Sequence, residues 1–209
     1  MLEIVLESLG DSAPAAVAEH AIRIATRPFE ELGIEVSQRP FDSGEESNLQ
    51  AATEVDGRVN LREFILCQSI HRNELEISPS IRTISAIYSP AIVRTREELI
   101  IPPFGYSIAS LHEATLSTHN LRIQLLKNPR FNEYAAHFFA YTLAHEAGHL
   151  FDLVSPEADR HMEGMHCCNE CVMKSTNIVE TADYLQATNG SIEFCEPCTE
   201  DILDTVAQD

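Results

Sequence analysis

The sequence predicts an α/β (α+β) fold: one layered domain carrying a smaller, metal-tied C-terminal part. Three observations predict it. The chain opens strand–helix–strand, a later helix is apolar on most of its sides, and cysteine pairs gather near the C-terminus. The 209 residues fit one domain, or one domain with an appended lobe.

Residues 2–8 read as a strand. From Ala13 to about Leu32 the apolar residues Ala18, Ala21, Ile22, Ile24, Ala25 and Phe29 keep helical spacing. Ser12 is the expected N-cap and Gly33 the expected stop. Pro14 falls in the first turn, where a missing N–H costs little, whereas Pro28 is expected to kink or end the helix near Arg27. Ile34 to Val36 resumes as a strand. Residues 41–57 are polar and acidic and read as an exposed loop. Leu61 to Ile70 is ambiguous but suits a helix capped by Asn60. Thr83 to Tyr88 alternates as a strand ending near Pro90. Pro102 to Gly105 reads as a turn, and Ile108 to Thr118 as extended chain. Asn132 to Phe151 is the clearest helix, and its nearly all-round apolarity places it centrally. Ser155-Pro156 ends it firmly.

The formal charge is −19, from 33 acidic against 14 basic residues. Such a surface repels nucleic-acid phosphates and anionic lipid, so neither a nucleic acid nor a membrane is an expected partner. No stretch of eighteen apolar residues occurs. The first residues hold acids and no base, unlike a secretory signal. A cytoplasmic monomer is the expectation.

His145-Glu146-Ala147-Gly148-His149 sits near the end of the central helix. Residues four apart share a helix face, so both imidazoles can reach one ion. Glu146, one position on, approaches the open side of that ion. There it can act as general base on a zinc-bound water. On an apolar helix, an unpartnered His-Glu-His group is costly to bury, which favours the metal over two surface histidines beside an acid. A catalytic zinc needs a third protein ligand. His166 is the leading candidate, with His161 the alternative and Asp152 or Asp159 behind it.

Six cysteines occur, and Cys167, Cys168, Cys171, Cys195 and Cys198 lie in the last 43 residues. Without an export signal these read as metal ligands rather than disulfides. Cys195-Glu196-Pro197-Cys198 can grip one side of a tetrahedral zinc. Its partner pair is Cys171 with either Cys167 or Cys168. Four thiolates would fill the coordination sphere, so this second zinc would be structural. Cys67 stands apart and reads as a buried core thiol.

These elements resemble the archaemetzincins. That family's signature joins a His-Glu-x-x-His helix, a third His followed at once by Cys, a Cys-x-Met and a final Cys-x-x-Cys. Here they are His145 to His149, His166-Cys167, Cys171-Val172-Met173 and Cys195 to Cys198. The match covers residues 136–198. The resemblance implies a compact metzincin-like catalytic domain: a twisted mixed sheet, an active-site helix and a second helix behind it. It implies a Met-turn at Met173, zinc on His145, His149 and His166, and a second zinc on Cys167, Cys171, Cys195 and Cys198. Residues 1–154 would form the N-terminal subdomain with the active-site helix. Residues 155–209 would carry the third ligand, the Met-turn and the four-cysteine site. The edge strand that receives substrate would run from Ile108 to Thr118. The chain departs from the family in having Asp152 and Ser155 where Gly and the third His usually stand, so the third ligand arrives after an insertion.

The expected activity is peptide-bond hydrolysis by a zinc metallopeptidase, acting on a peptide or protein substrate with two zinc ions per chain. Two alternatives are a weak or inactive zinc-stabilised binding protein and a hydrolase of a non-peptide amide. His20, His71, His112, His119 and His137 lack ligand spacing, though His112 and His119 lie close enough to the expected edge strand to touch substrate.

Overall fold

The computed structural model describes residues 1–7, 13–78, 80–94, 100–101, 104–127, 134–151, 153, 161–162, 166–174 and 178–208. In chain order the elements are β1 (Leu2–Leu6), α1 (Ala13–Glu31), β2 (Val36–Pro40), α2 (Ser43–Ala51), β3 (Val59–Asn60), α3 (Leu61–Glu74) and β4 (Arg82–Ile87). Then follow β5 (Ala91–Arg94), β6 (Ile100–Ile101), β7 (Gly105–Ile108), β8 (Glu113–Ser117), α4 (Thr118–Lys127) and α5 (Ala135–His149). The chain closes with β9 (His161–Met162), β10 (His166–Cys167), α6 (Ile178–Ala187) and α7 (Glu196–Gln208).

Five strands form the main sheet in the order β2-β1-β4-β8-β7. The first four run parallel, and β7 closes one edge antiparallel to β8. Side chains alternate across a strand, and the two sheet faces differ sharply. Leu2, Ile4, Ile84, Ala114 and Leu116 join one apolar cluster with Phe29 of α1 and Leu143, Ala144 and Ala147 of α5. Cys167, Met173 and Ile202 belong to the same cluster, so residues on both sides of position 155 share one core. The opposite face is mixed. Val5 and Ile87 pack with Phe64 of α3, while Thr83, Ser85, Glu113 and Thr115 on that face are buried polar residues. There the Arg72 guanidinium of α3 donates to the buried Glu113 carboxylate at 2.6 Å and to the Ile81 carbonyl at 2.6 Å. Burial pushes the Glu113 carboxyl up to about 7, and the neighbouring Arg72 charge opposes it.

Local chemistry explains most element ends. Gly33 takes a left-handed φ of +77° after α1, while the Ile34 and Gly33 amides donate back to Phe29 and Glu30, each at 3.0 Å. These two bonds satisfy carbonyls that the helix leaves unpaired. Pro28 does not end α1 near Arg27: the helix continues to Glu31. The expected loop at 41–57 contains α2, which Asp42 and Glu45 start with a reciprocal capping box. Asn60 precedes α3 but makes no side-chain capping bond. Cys67 is half-buried rather than a core thiol. The expected extension and edge strand at Ile108–Thr118 holds only the last residue of β7, a short 3-10 turn at Ala109–Leu111 and β8, which lies inside the sheet; the edge position is taken by β7, which begins at Gly105 where a turn was expected. The expected cap Ser12 and the helix end at Ser155-Pro156 lie outside the described residues. Among the described residues, no helix is long and apolar enough to cross a membrane.

Truncating one partner of the Arg72–Glu113 pair strands the other charge in the interior. Glu113→Ala is expected to cost about 3–5 kcal/mol, and the double variant Arg72→Met with Glu113→Leu much less. Urea unfolding of the three proteins checks this.

Candidate functional site

The last two turns of α5 carry His145, Glu146 and His149 on neighbouring positions of a helix buried against the sheet and α1. The His145 Nδ1 lies 2.7 Å from the Val172 carbonyl. A carbonyl only accepts, so Nδ1 carries the proton and Nε2 presents its lone pair. That Nε2 stands 3.2 Å from His149 Nε2. His166, on the short strand β10, brings its ring to 5.2 Å from His145 and 5.5 Å from His149, centroid to centroid. One nitrogen from each of the three rings lies within 4.8 Å of the others. Two nitrogens on one tetrahedral zinc, each at about 2.0–2.1 Å, stand about 3.3–3.4 Å apart. The donor set and its spacing therefore fit that ion. Burial pulls His145 down to about 4 and His149 down to about 3, so both rings are neutral and able to ligate at physiological pH.

Glu146 is buried, and its carboxylate accepts a hydrogen bond from the Ser107 hydroxyl of β7. Burial pushes this carboxyl up to about 8, with the Ser107 bond opposing. Beside it lies a cavity of about 150 Å³, walled by Phe104, Leu121, Phe138 and Tyr141 and reaching His145, Glu146 and His166. Lys174 stands at the same cavity.

Behind this group a second one gathers. Cys167, Cys171, Cys195 and Cys198 bring their sulfurs within 4.8 Å of one another. The Sγ–Sγ separations are 3.8 Å for Cys167 and Cys195 and 4.0 Å for Cys171 and Cys198. Two thiolates on a tetrahedral zinc, each at about 2.3 Å, stand about 3.8 Å apart. Neither pair is bonded as a disulfide. The Asn169 amide donates to Cys167 Sγ and the Asn169 side chain to Cys195 Sγ, each at 3.4 Å. Such bonds favour sulfur carrying charge. A hydrogen bond from Cys198 pulls the Cys171 thiol down to about 5, and that bond pushes Cys198 up. Cys168 is exposed and outside the group.

Consecutive residues serve the two groups because β10 is a strand. Side chains of neighbours in a strand point to opposite faces, so His166 turns to the imidazoles and Cys167 to the thiols. One residue further on, Cys168 has left the strand. β10 pairs with β9, which sets Cys167 opposite His161. The side chain of His161 lies outside the described part of the structure, as do Asp152 and Asp159. Met173 is packed on Gly148: a Cβ at Gly148 would fall 2.2 Å from Met173 Sδ.

No family model matches the chain, and no curated protein matches it. Solved structures do. The crystal structure of a zinc-dependent peptidase from Methanocorpusculum labreanum (strain Z) superposes with a TM-score of 0.66 at 15% identity, over 97% of this chain and 100% of that one. The archaemetzincin from Methanopyrus kandleri superposes with a TM-score of 0.59 at 18% identity, over 99% of this chain and 94% of that one. The chain has the archaemetzincin fold. Its mixed sheet and helices match that architecture across nearly the whole length, and the fold brings together two groups able to bind zinc.

Several residues at the archaemetzincin-fold site carry no motif of their own. Gly105 and Ser107 touch Glu146 from β7, and the Val172 carbonyl holds His145. The Phe104-Gly105 turn signal marked a break in the chain rather than a strand beside the helix. His112 takes a left-handed φ of 56° at the turn between β7 and β8, and His119 sits in the first turn of α4. Among the described residues neither joins a ligand group, nor do His20, His71 and His137.

Gly148→Ala tests the contact with Met173. Alanine favours a helix by about 1 kcal/mol over glycine, yet the clash with Met173 is expected to reverse the sign and destabilise the protein by about 1–3 kcal/mol. Thermal unfolding with and without Met173→Ala in the same chain separates the two effects.

Proposed function

We propose that this chain is a zinc-dependent peptidase, with His145, His149 and His166 holding the catalytic metal and Glu146 as general base. The observation that carries the proposal is the convergence of three imidazoles, two of them with nitrogens 3.2 Å apart, beside a buried carboxylate. The names of two proteins of the same fold, a zinc-dependent peptidase and an archaemetzincin, support it. Cys167, Cys171, Cys195 and Cys198 would hold a second, structural zinc, with all four positions filled by sulfur. We also read residues 1–154 and 155–209 as two subdomains, the second supplying His166, the Met173 turn and the four cysteines.

When bound, zinc supplies Lewis acidity, which makes a water a ready nucleophile at neutral pH and polarises a carbonyl. The chain's own groups do the rest. Glu146 accepts the proton of the attacking water and passes it to the leaving amine. Val172 fixes the His145 ring and its tautomer through Nδ1. Among the described residues the outer side of β7 is an edge of the main sheet, so an extended peptide can pair with it as a further strand. The cavity walled by Phe104, Leu121, Phe138 and Tyr141 then receives one apolar side chain of that peptide.

Glu146→Gln keeps the shape of the side chain and removes the base. It is expected to leave metal content unchanged and lower peptide hydrolysis on the order of 10²–10⁴-fold. Metal analysis and a peptide-library digest check both halves, and parental turnover in the variant overturns the assignment.

Cys171→Ser is expected to lose one zinc per chain. The loss should cost about 4 kcal/mol or more, a Tm drop on the order of 10 °C at this chain length. Metal counting beside calorimetry checks it.

A further inference from the structure

The general-base reading leaves open what aims the Glu146 carboxylate. β7 pairs antiparallel with β8, setting Gly105 opposite Leu116 and Ser107 opposite Ala114. Leu116 and Ala114 belong to the apolar cluster shared with α5. Alternation therefore turns positions 105 and 107 of the edge strand to the side on which α5 lies. Both meet Glu146 there. A Cβ at Gly105 would fall 2.4 Å from Glu146 Oε1 and 2.6 Å from its Cδ, so only a residue without a side chain leaves room for the carboxylate. Two positions on, the Ser107 hydroxyl donates a hydrogen bond to the same carboxylate.

We infer that Ser107 is a positioning residue for Glu146, holding the carboxylate in the space that Gly105 leaves open against the edge strand. The inference rests on the peptidase reading above. A carboxylate has two oxygens. With one engaged by Ser107, the group has a fixed plane, and the other oxygen keeps its lone pairs for the proton of water. Because the same short strand offers its outer edge to an extended peptide, Ser107 ties the orientation of the base to the strand that aligns the substrate. Ser107 itself need not touch the reacting atoms.

Ser107→Ala, Ser107→Thr and Gly105→Ala in the zinc-loaded protein test this by kinetics and by crystal structure. Loss of an orienting partner typically lowers activity about 10–100-fold. Ser107→Ala is expected to lower kcat by that factor with KM and zinc content unchanged, while Ser107→Thr, which keeps the hydroxyl, stays within about threefold of the parent. Gly105→Ala is expected to fold, because the atoms it meets end a flexible side chain, and to push the carboxylate away from β7. The crystal structure of Ser107→Ala should show Glu146 rotated off the strand, and that of Ser107→Thr should not. Parental kcat in Ser107→Ala, or an unmoved Glu146 carboxylate, overturns the inference. If the parent cleaves no peptide, the peptidase reading falls by itself, and the crystallographic comparison still decides what Ser107 does to Glu146.

Discussion

The four residues Cys171 to Lys174 are the joint on which both the imidazole group and the thiol group depend. Cys171 contributes a thiol to one group, and the Val172 carbonyl accepts from His145 in the other. Met173 fills the space over Gly148, and its carbonyl accepts from the Cys167 amide at 2.9 Å. The Lys174 carbonyl accepts from the Tyr141 hydroxyl on α5 at 3.1 Å. Each bond is of ordinary strength, about 1 kcal/mol net. Their combined effect is geometric: the end of α5, strand β10 and the thiol group cannot shift separately. Loss of the thiol group's organisation would thus be felt at the imidazoles, through Val172 and Met173 as well as through the peptide bond that joins His166 to Cys167.

The sheet supplies the frame for this joint, and its two faces do different work. The face toward α1 and α5 is mostly apolar, and it holds α5 by packing together with a bond from the buried Arg82 side chain of β4 to the Leu150 carbonyl at 2.8 Å. The face toward α3 buries charge and hydroxyls, with Arg72 answering Glu113. A buried ion pair adds little net stability, but it penalises wrong registers, because a slip by one residue would bury Glu113 without its partner. β8 is the strand next to β7, and its register sets which residues of β7 face Glu146. Specificity on one face therefore fixes geometry on the other.

The sequence made the site easier to read than the frame around it. His145, Glu146 and His149 announce themselves by helical spacing, and the cysteine pairs by knuckle spacing, because ligand chemistry restricts both residue type and interval. The helix at Ser43–Ala51 stayed hidden because it has almost no apolar stripe, with Leu49 its one buried apolar residue. Its start was nonetheless written in Asp42 and Glu45, since a capping box reads from composition and interval alone. The division of residues 105–117 into an edge and an interior strand was not legible, because β propensity reports a pleated, half-buried surface and not a neighbour. Gly105 added to the error. A glycine after two prolines signals a turn, yet here it marks the close approach of a side chain from another element. The choice between Cys167 and Cys168 was equally closed to spacing arguments, since it turns on which residue still lies in a strand.

The insertion before His166 is tolerable for a reason that the strand geometry makes plain. What the two ligand groups require of this region is a short extended stretch whose successive side chains diverge, one to nitrogen ligands and one to sulfur ligands. β10 meets that requirement with two residues, and its pairing with β9 gives it a partner within the same segment. Added length before β9 need not disturb that stretch, since loop-closure entropy grows slowly, by about 0.6 kcal/mol for each doubling. Adjacency of His166 and Cys167 is the stricter demand. A residue placed between them would turn one side chain to the wrong face and empty a position in one of the two groups, whereas residues added upstream leave both intact.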